Sequence, residues 1–162
     1  MPFTTAQLST IKAAIAAETD PVFVGYRQAG ALGAMAEWYS ASTSPAFTVW
    51  KTAVPLAAVG TAMDSGEVAG LTTSNTSRLQ VMAAYSGGSF NPSLPDVQSG
   101  FNSVFSGAGG ALTRAALLAL WKRPAKRIEK LFAVGTGTDA APATMGYEGN
   151  VNINDILAAQ AA

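Results

Sequence analysis

The chain of 162 residues contains no cysteine and no histidine. The first absence excludes disulfides, thiolate nucleophiles and cysteine-ligated metals. The second removes the usual general base and the commonest transition-metal ligand, so any catalysis would rest on carboxylates, lysine or tyrosine. Charge is scarce too: Asp, Glu, Lys and Arg make up 12% of the residues, ten basic against ten acidic. With zero net charge, no overall positive field draws the chain to nucleic acid or membrane. No apolar window reaches the roughly 18 uninterrupted residues of a transmembrane candidate. The start MPFTTAQLSTIKAAIAAETD lacks the basic opening and unbroken apolar stretch of a signal peptide, so the expectation is a chain made in a cytoplasm with no membrane partner. A G-x-x-x-x-G-K-[ST] phosphate loop and a G-x-S-x-G nucleophile elbow are also missing.

Hydrophobic residues are plentiful, at 49%, enough for one domain with a real core. Alanine, glycine, serine and threonine take the place of charge. So uncharged a surface fits one covered by copies of the chain or by partners, and equally a helical protein rich in small residues.

The periodicity is helical. Thr4 or Thr5 caps a first helix to about Glu18, with Leu8, Ile11 and Ile15 on one stripe. Asp20-Pro21 stops it and starts a second, in which Val24, Leu32, Met35 and Trp38 or Tyr39 recur at helical spacing; Gly25, Gly30 and Gly33 either permit close helix packing or mark breaks, Gly30 being the better candidate for a break. Ser44 to Val59 is ambiguous: Phe47, Val49 and Trp50 favour a strand, and Pro55 ends a strand or begins a helix. A polar loop precedes a helix capped near Thr73 to Asn75, with Leu79, Met82 and Tyr85 inward. Another helix runs from about Leu94 to Phe105, and Gly107 to Gly110 form a turn. Ala111 to Phe132 reads as the strongest helix, kinked or split by Pro124. Beyond Phe132 the composition turns to glycine, threonine and asparagine, ending in a short apolar element at Ile153 to Leu157. The expectation is a mainly α fold: a small helical bundle over 1–133 with an extended C-terminal arm over 134–162. Trp38, Tyr39, Phe47, Trp50 and Trp121 are its expected core anchors.

Two stretches invite a functional reading. In GTGTDA, Gly135, Gly137 and Ala140 match the G-x-G-x-x-A dinucleotide fingerprint, and Asp155 follows at a suitable distance. The context fails: LFAV continues a helix, Ala141-Pro142 follows instead of a helix, and too little chain remains for a crossover and second strand. The segment reads as a flexible exit with Gly135 as helix stop, and no cofactor is expected. The second stretch is basic. Six of the ten Lys and Arg residues lie between Arg114 and Lys130. On a continuous helix Arg123, Arg127 and Lys130 share a face, with Lys126 beside them. That face is either solvated or turned to an acidic partner or passing nucleic acid. The carboxylates form only loose pairs near helix ends, where capping explains them, so no enzyme and no metal site is expected.

Three stretches carry a resemblance: TTAQLSTIKAAIAAETDPVF, SPAFTVWKTAVP and, most distinctively, EKLFAVGTGTDAAPATMGYEGNVNINDIL. Together they resemble the head-to-tail adaptor, or connector, proteins of tailed bacteriophages and prophages. The resemblance implies a helical subunit of a homo-oligomeric ring, of twelve copies, in the virion neck. The ring would sit beneath the portal protein, pass DNA non-specifically through its centre, and receive a tail or nozzle protein on its other side. It also implies a docking arm over 134–162, containing Val134, Gly135, Gly137 and Tyr147 and anchored by Val151, Ile153, Ile156 and Leu157. Arg123, Lys126, Arg127 and Lys130 would face the channel or an acidic portal surface. The glycine- and serine-rich stretches 60–77 and 86–110 leave open which helices build the ring. Alternatives are a head-completion or stopper protein, a minor tail protein, or a cytoplasmic assembly factor.

Overall fold

A computed structural model describes residues 3–162 and is mainly α-helical. The helices are α1 (Thr5–Ala17), α2 (Pro21–Gln28), α3 (Leu32–Ser40), α4 (Leu56–Ala62), α5 (Ser65–Ala69), α6 (Thr73–Tyr85), α7 (Pro95–Val104), α8 (Ala111–Trp121), α9 (Arg127–Leu131) and α10 (Ile153–Ala161). Short strands lie between them: β1 (Thr48–Trp50), β2 (Val54–Pro55), β3 (Ser89–Phe90), β4 (Lys122–Pro124), β5 (Ala133–Val134) and β6 (Thr144–Met145). No described helix is long and apolar enough to cross a membrane. The chain divides into two compact units, but not at residue 134. One comprises the residues up to Val49 together with Pro124–Ala162, and the other is Trp50–Arg123.

The first unit follows from its caps. Thr4 and Gln7 close a capping box on α1, the Thr4 hydroxyl accepting from Gln7 N at 3.2 Å and Gln7 Oε1 accepting from Thr4 N at 2.9 Å. Asp20 accepts from Val22 N at 2.9 Å, with Pro21 at the first helical position of α2. Gly30 separates α2 from α3 at φ +63°, the break its sequence implies. Arg27 reaches back to the α1 carbonyls of Ile15 and Ala16 at 2.6 and 2.8 Å, placing a cation at that helix's negative end. The break resets the helical phase, so Phe23, not Val24, is buried from α2. The core gathers Ile11, Ile15, Phe23, Met35, Tyr39, Ile128, Val151, Ile156 and Ala159.

In the second unit β2 pairs antiparallel with β3, Val54 opposite Phe90. The ambiguous Ser44–Val59 segment thus holds short strands and then a helix beginning after Pro55. Phe101 is the hub of the core, its ring 5.0 Å from Phe90 and 5.3 Å from Trp121, both edge-on. Val54, Val59, Val104, Phe105 and Leu117 complete it. Asp64 caps α5, while Glu67 crosses to α8 and accepts from Leu112 N at 2.9 Å and Thr113 N at 2.8 Å. Burial pushes the Glu67 carboxyl up, but these amides, the Thr113 hydroxyl and Arg114 outweigh it and hold the carboxyl below its ordinary value. Tyr85, expected inward, is 88% exposed.

The expected long helix from Ala111 to Phe132 is split. α8 ends at Trp121, Lys122–Pro124 is extended, and α9 begins at Arg127. Proline disfavours helical backbone at the residue before it, which accounts for the extended Arg123.

Candidate functional site

The C-terminal segment is where the resemblance is most distinctive, and it is tied into the first unit at several points. After Leu131 the chain forms a hairpin, Ala133 opposite Met145 and Val134 opposite Thr144. The GTGTDA loop lies between its strands. Gly137, at φ +66°, faces the Phe47 ring so closely that an added Cβ would fall 2.1 Å from it. Thr48 N donates to Gly137 O at 2.7 Å, and Ala143 N donates to Thr48 O at 2.9 Å. Gly135, at φ +128°, has Ala143 Cα 3.1 Å from where its Cβ would stand. The glycines therefore serve close backbone packing, and the loop is fastened at both ends. Nor is Gly135 the helix stop, because α9 has ended four residues earlier.

Beyond the hairpin the anchoring residue is Glu129, fully buried. Its carboxylate accepts from Lys126 N at 2.9 Å at the start of α9 and from Gly149 N at 3.3 Å in the loop ahead of α10. Tyr147 closes that loop through a 2.8 Å bond to Asn150 O, and its ring packs 4.5 Å from Phe3. Burial, then the charges of Asp155 and Glu129, raise its phenol pKa. Val151 is buried and held by Ser40, which accepts from Val151 N at 3.0 Å and donates to Val151 O at 3.2 Å. Asn152 and Asp155 form the capping box of α10. That helix lies against α1 and α3 and buries Ile156 and Ala159 completely.

The eight residues expected on a docking arm therefore separate by role. Gly137, Val151 and Ile156 are buried in the unit, Tyr147 packs half-buried against its core, and Gly135 is exposed but lies close against the Ala143 backbone. Val134, Ile153 and Leu157 face outward, at 77%, 50% and 47% exposure. An extended stretch does follow Val134, but it runs over the unit and ends in a core helix. The apolar faces of α1 and α3 hold it there. Ile153 and Leu157 stand one turn apart on α10, beside its buried face. Ile153 also borders a depression of about 630 Å³ with Gly33, Glu37, Ser40, Asn150 and Asn152.

The four basic residues do not form one helical face. Arg123 lies in the extended segment, outside α9. Lys126 donates from Nζ to Asn150 Oδ1 at 2.7 Å. Arg127 stacks its guanidinium 3.9 Å from the centre of the Trp38 ring and donates to Trp38 O at 3.1 Å. Lys130 is exposed, its Nζ 5.5 Å from the Phe47 ring centre. Arg127 and Lys130 border a cavity of about 410 Å³ with Glu18, Tyr39 and Thr43. The Tyr39 hydroxyl is sealed from solvent without a hydrogen-bond partner among the described residues. Its pKa is raised, first by burial and then by the charge of Glu18, with Arg27 and Arg127 opposing.

The sequence reading missed Glu129, although a signal was present: an acid three residues after Lys126 is the third-position partner of a helix start. Asp20, Asp64 and Asp155 act as caps, each accepting from backbone N–H groups. Comparison with known proteins finds no matching family model, curated protein or solved structure.

Proposed function

We propose that the chain is a structural virion protein of a tailed bacteriophage, the head-to-tail adaptor whose copies form a ring between the portal and the tail or nozzle. The observation that carries this reading is α10, whose apolar surface extends beyond the part that is buried: Ile156 and Ala159 fill the core, while Ile153 and Leu157 beside them stay half exposed. From Val151 to Ala162 the only charged side chain is that of Asp155. Such a surface suits a permanent contact with another protein. Completing the burial of Ile153 and Leu157 is worth about 1 kcal/mol each. That is weak for one subunit and strong for a closed ring in which all copies dock together.

Portal docking in this form uses a fixed helical face, not an arm that orders on binding. The subunit therefore loses little conformational freedom on docking. Among the four basic residues, Lys130 is the exposed one and the natural contact for passing DNA phosphates. Those contacts would be non-specific and weakened by salt. Quantitative mass spectrometry of purified particles of a phage encoding this chain tests the virion reading. The expected result is the chain in fixed ratio to the portal protein. Its absence from particles, with abundance in infected-cell extract, would make it an assembly factor instead.

A further inference from the structure

The second unit carries an unpartnered surface of a different kind. Helix α6 has no buried residue along its length. Its Val81 and Tyr85 are 54% and 88% exposed, and Leu94, just ahead of α7, is 50% exposed. Between α6 and α7 runs a groove of about 850 Å³, floored by Met82 where Gly100 leaves it room. From Val68 to Thr113 the sequence has only two charged residues, Arg78 and Asp96. Both are exposed and both border this groove. Arg78 donates to the Ser103 hydroxyl at 2.9 Å, and neither residue is ion-paired among the described residues.

We propose that this groove is the seat of a second copy of the chain, in a two-fold dimer that sets Arg78 of each copy against Asp96 of the other. The groove carries one positive and one negative charge in an otherwise uncharged setting, so its electrostatic complement is itself. A two-fold axis turns that into two reciprocal pairs. Val81, Tyr85 and Leu94 supply the apolar area around them, with the aromatic residue as anchor. Nucleic acid and anionic membrane both require a surplus of positive charge, which the groove lacks. A two-fold contact closes on two copies and is not the contact that repeats around a cyclic ring. The inference thus goes beyond the adaptor reading and does not depend on it.

The test is sedimentation velocity of the full-length chain over a dilution series, with thermal unfolding as a check on folding. The wild type is expected to shift from dimer to monomer on dilution through the micromolar range. Arg78→Asp and Asp96→Arg singly are expected to weaken association about tenfold or more, because each sets like charges together twice. The double variant, which restores opposite charges with their positions exchanged, is expected to recover wild-type association. Recovery would establish the pairing whatever the single variants do to stability. A wild type that stays monomeric throughout overturns the proposal. So does a wild-type dimer that the single variants leave unchanged, or a double variant no better than the singles.

Discussion

Replacing two neighbouring residues of α10 separates a core helix from a loosely attached arm. Ile156 is fully buried, in one core with Ile11, Ile15 and Met35, and Leu157 beside it is 47% exposed. Ile156→Ala removes buried methyl and methylene groups and leaves a cavity between well-packed helices, a change that costs about 2–5 kcal/mol. Leu157→Ala gives up roughly half the burial of one leucine, about 1 kcal/mol. Amide hydrogen exchange by NMR reads the first unit separately from the second. Exchange of the slowest α1 and α3 amides is expected to accelerate about 30-fold or more in Ile156→Ala, and about 5-fold in Leu157→Ala. The slowest amides of α7 and α8, in the other unit, are the internal reference. If Ile156→Ala accelerates exchange no more than Leu157→Ala, the packing of α10 into the first unit is refuted, and the segment is the detachable arm its composition suggests.

Other substitutions probe the remaining fastenings. Glu129→Ala leaves two backbone N–H groups without their charged acceptor and is expected to destabilise the first unit by about 3 kcal/mol, read by urea unfolding. Gly137→Ala puts a methyl group into the Phe47 ring at a positive φ, so a loss of at least about 2 kcal/mol is expected, with faster exchange at the Thr48 and Ala143 amides. An Ala variant as stable as wild type would mean the loop is not clamped. For Glu67, a lowered folded-state pKa means its contribution is present above the unfolded-state pKa and fades as pH falls through the folded one. The melting temperature of wild type should exceed that of Glu67→Gln near neutral pH, with the gap closing on acidification. A gap that widens at low pH would contradict the direction of the shift.

Much of the local structure was legible. Thr4, Asp20, Gly30 and Pro124 each act where they stand, because caps, left-handed glycine and the proline restriction depend on a few neighbouring residues. The apolar stripe of α1 also emerges as its spacing implies. Burial was less legible when it depended on distant chain. Ile156 and Leu157 are adjacent and equally apolar, so nothing local says that α1 and α3 cover one and leave the other bare. Glycine and threonine after Phe132 resemble a flexible exit, yet Gly137 is small because Phe47, ninety residues earlier, lies against it. The basic face failed for a related reason: it assumed one helix across Pro124, and the split removed the shared geometry. The two-unit division is a product of long-range pairing, which periodicity does not encode.

We propose that the half-exposed apolar residues of α10 dock this chain on a portal ring. Co-sedimentation with purified portal rings tests it most directly, using wild type and the double variant Ile153→Asp/Leu157→Asp in place of a truncation, since deleting 134–162 would remove Val151, Ile156 and Ala159 from the core. Wild type is expected to pellet with the portal, and the double variant, folded by circular dichroism, to stay in the supernatant. Equal pelleting of both would contradict the docking face. Failure of both on the portal, with wild type binding a stopper or tail ring, would contradict the adaptor assignment and move the chain lower in the neck.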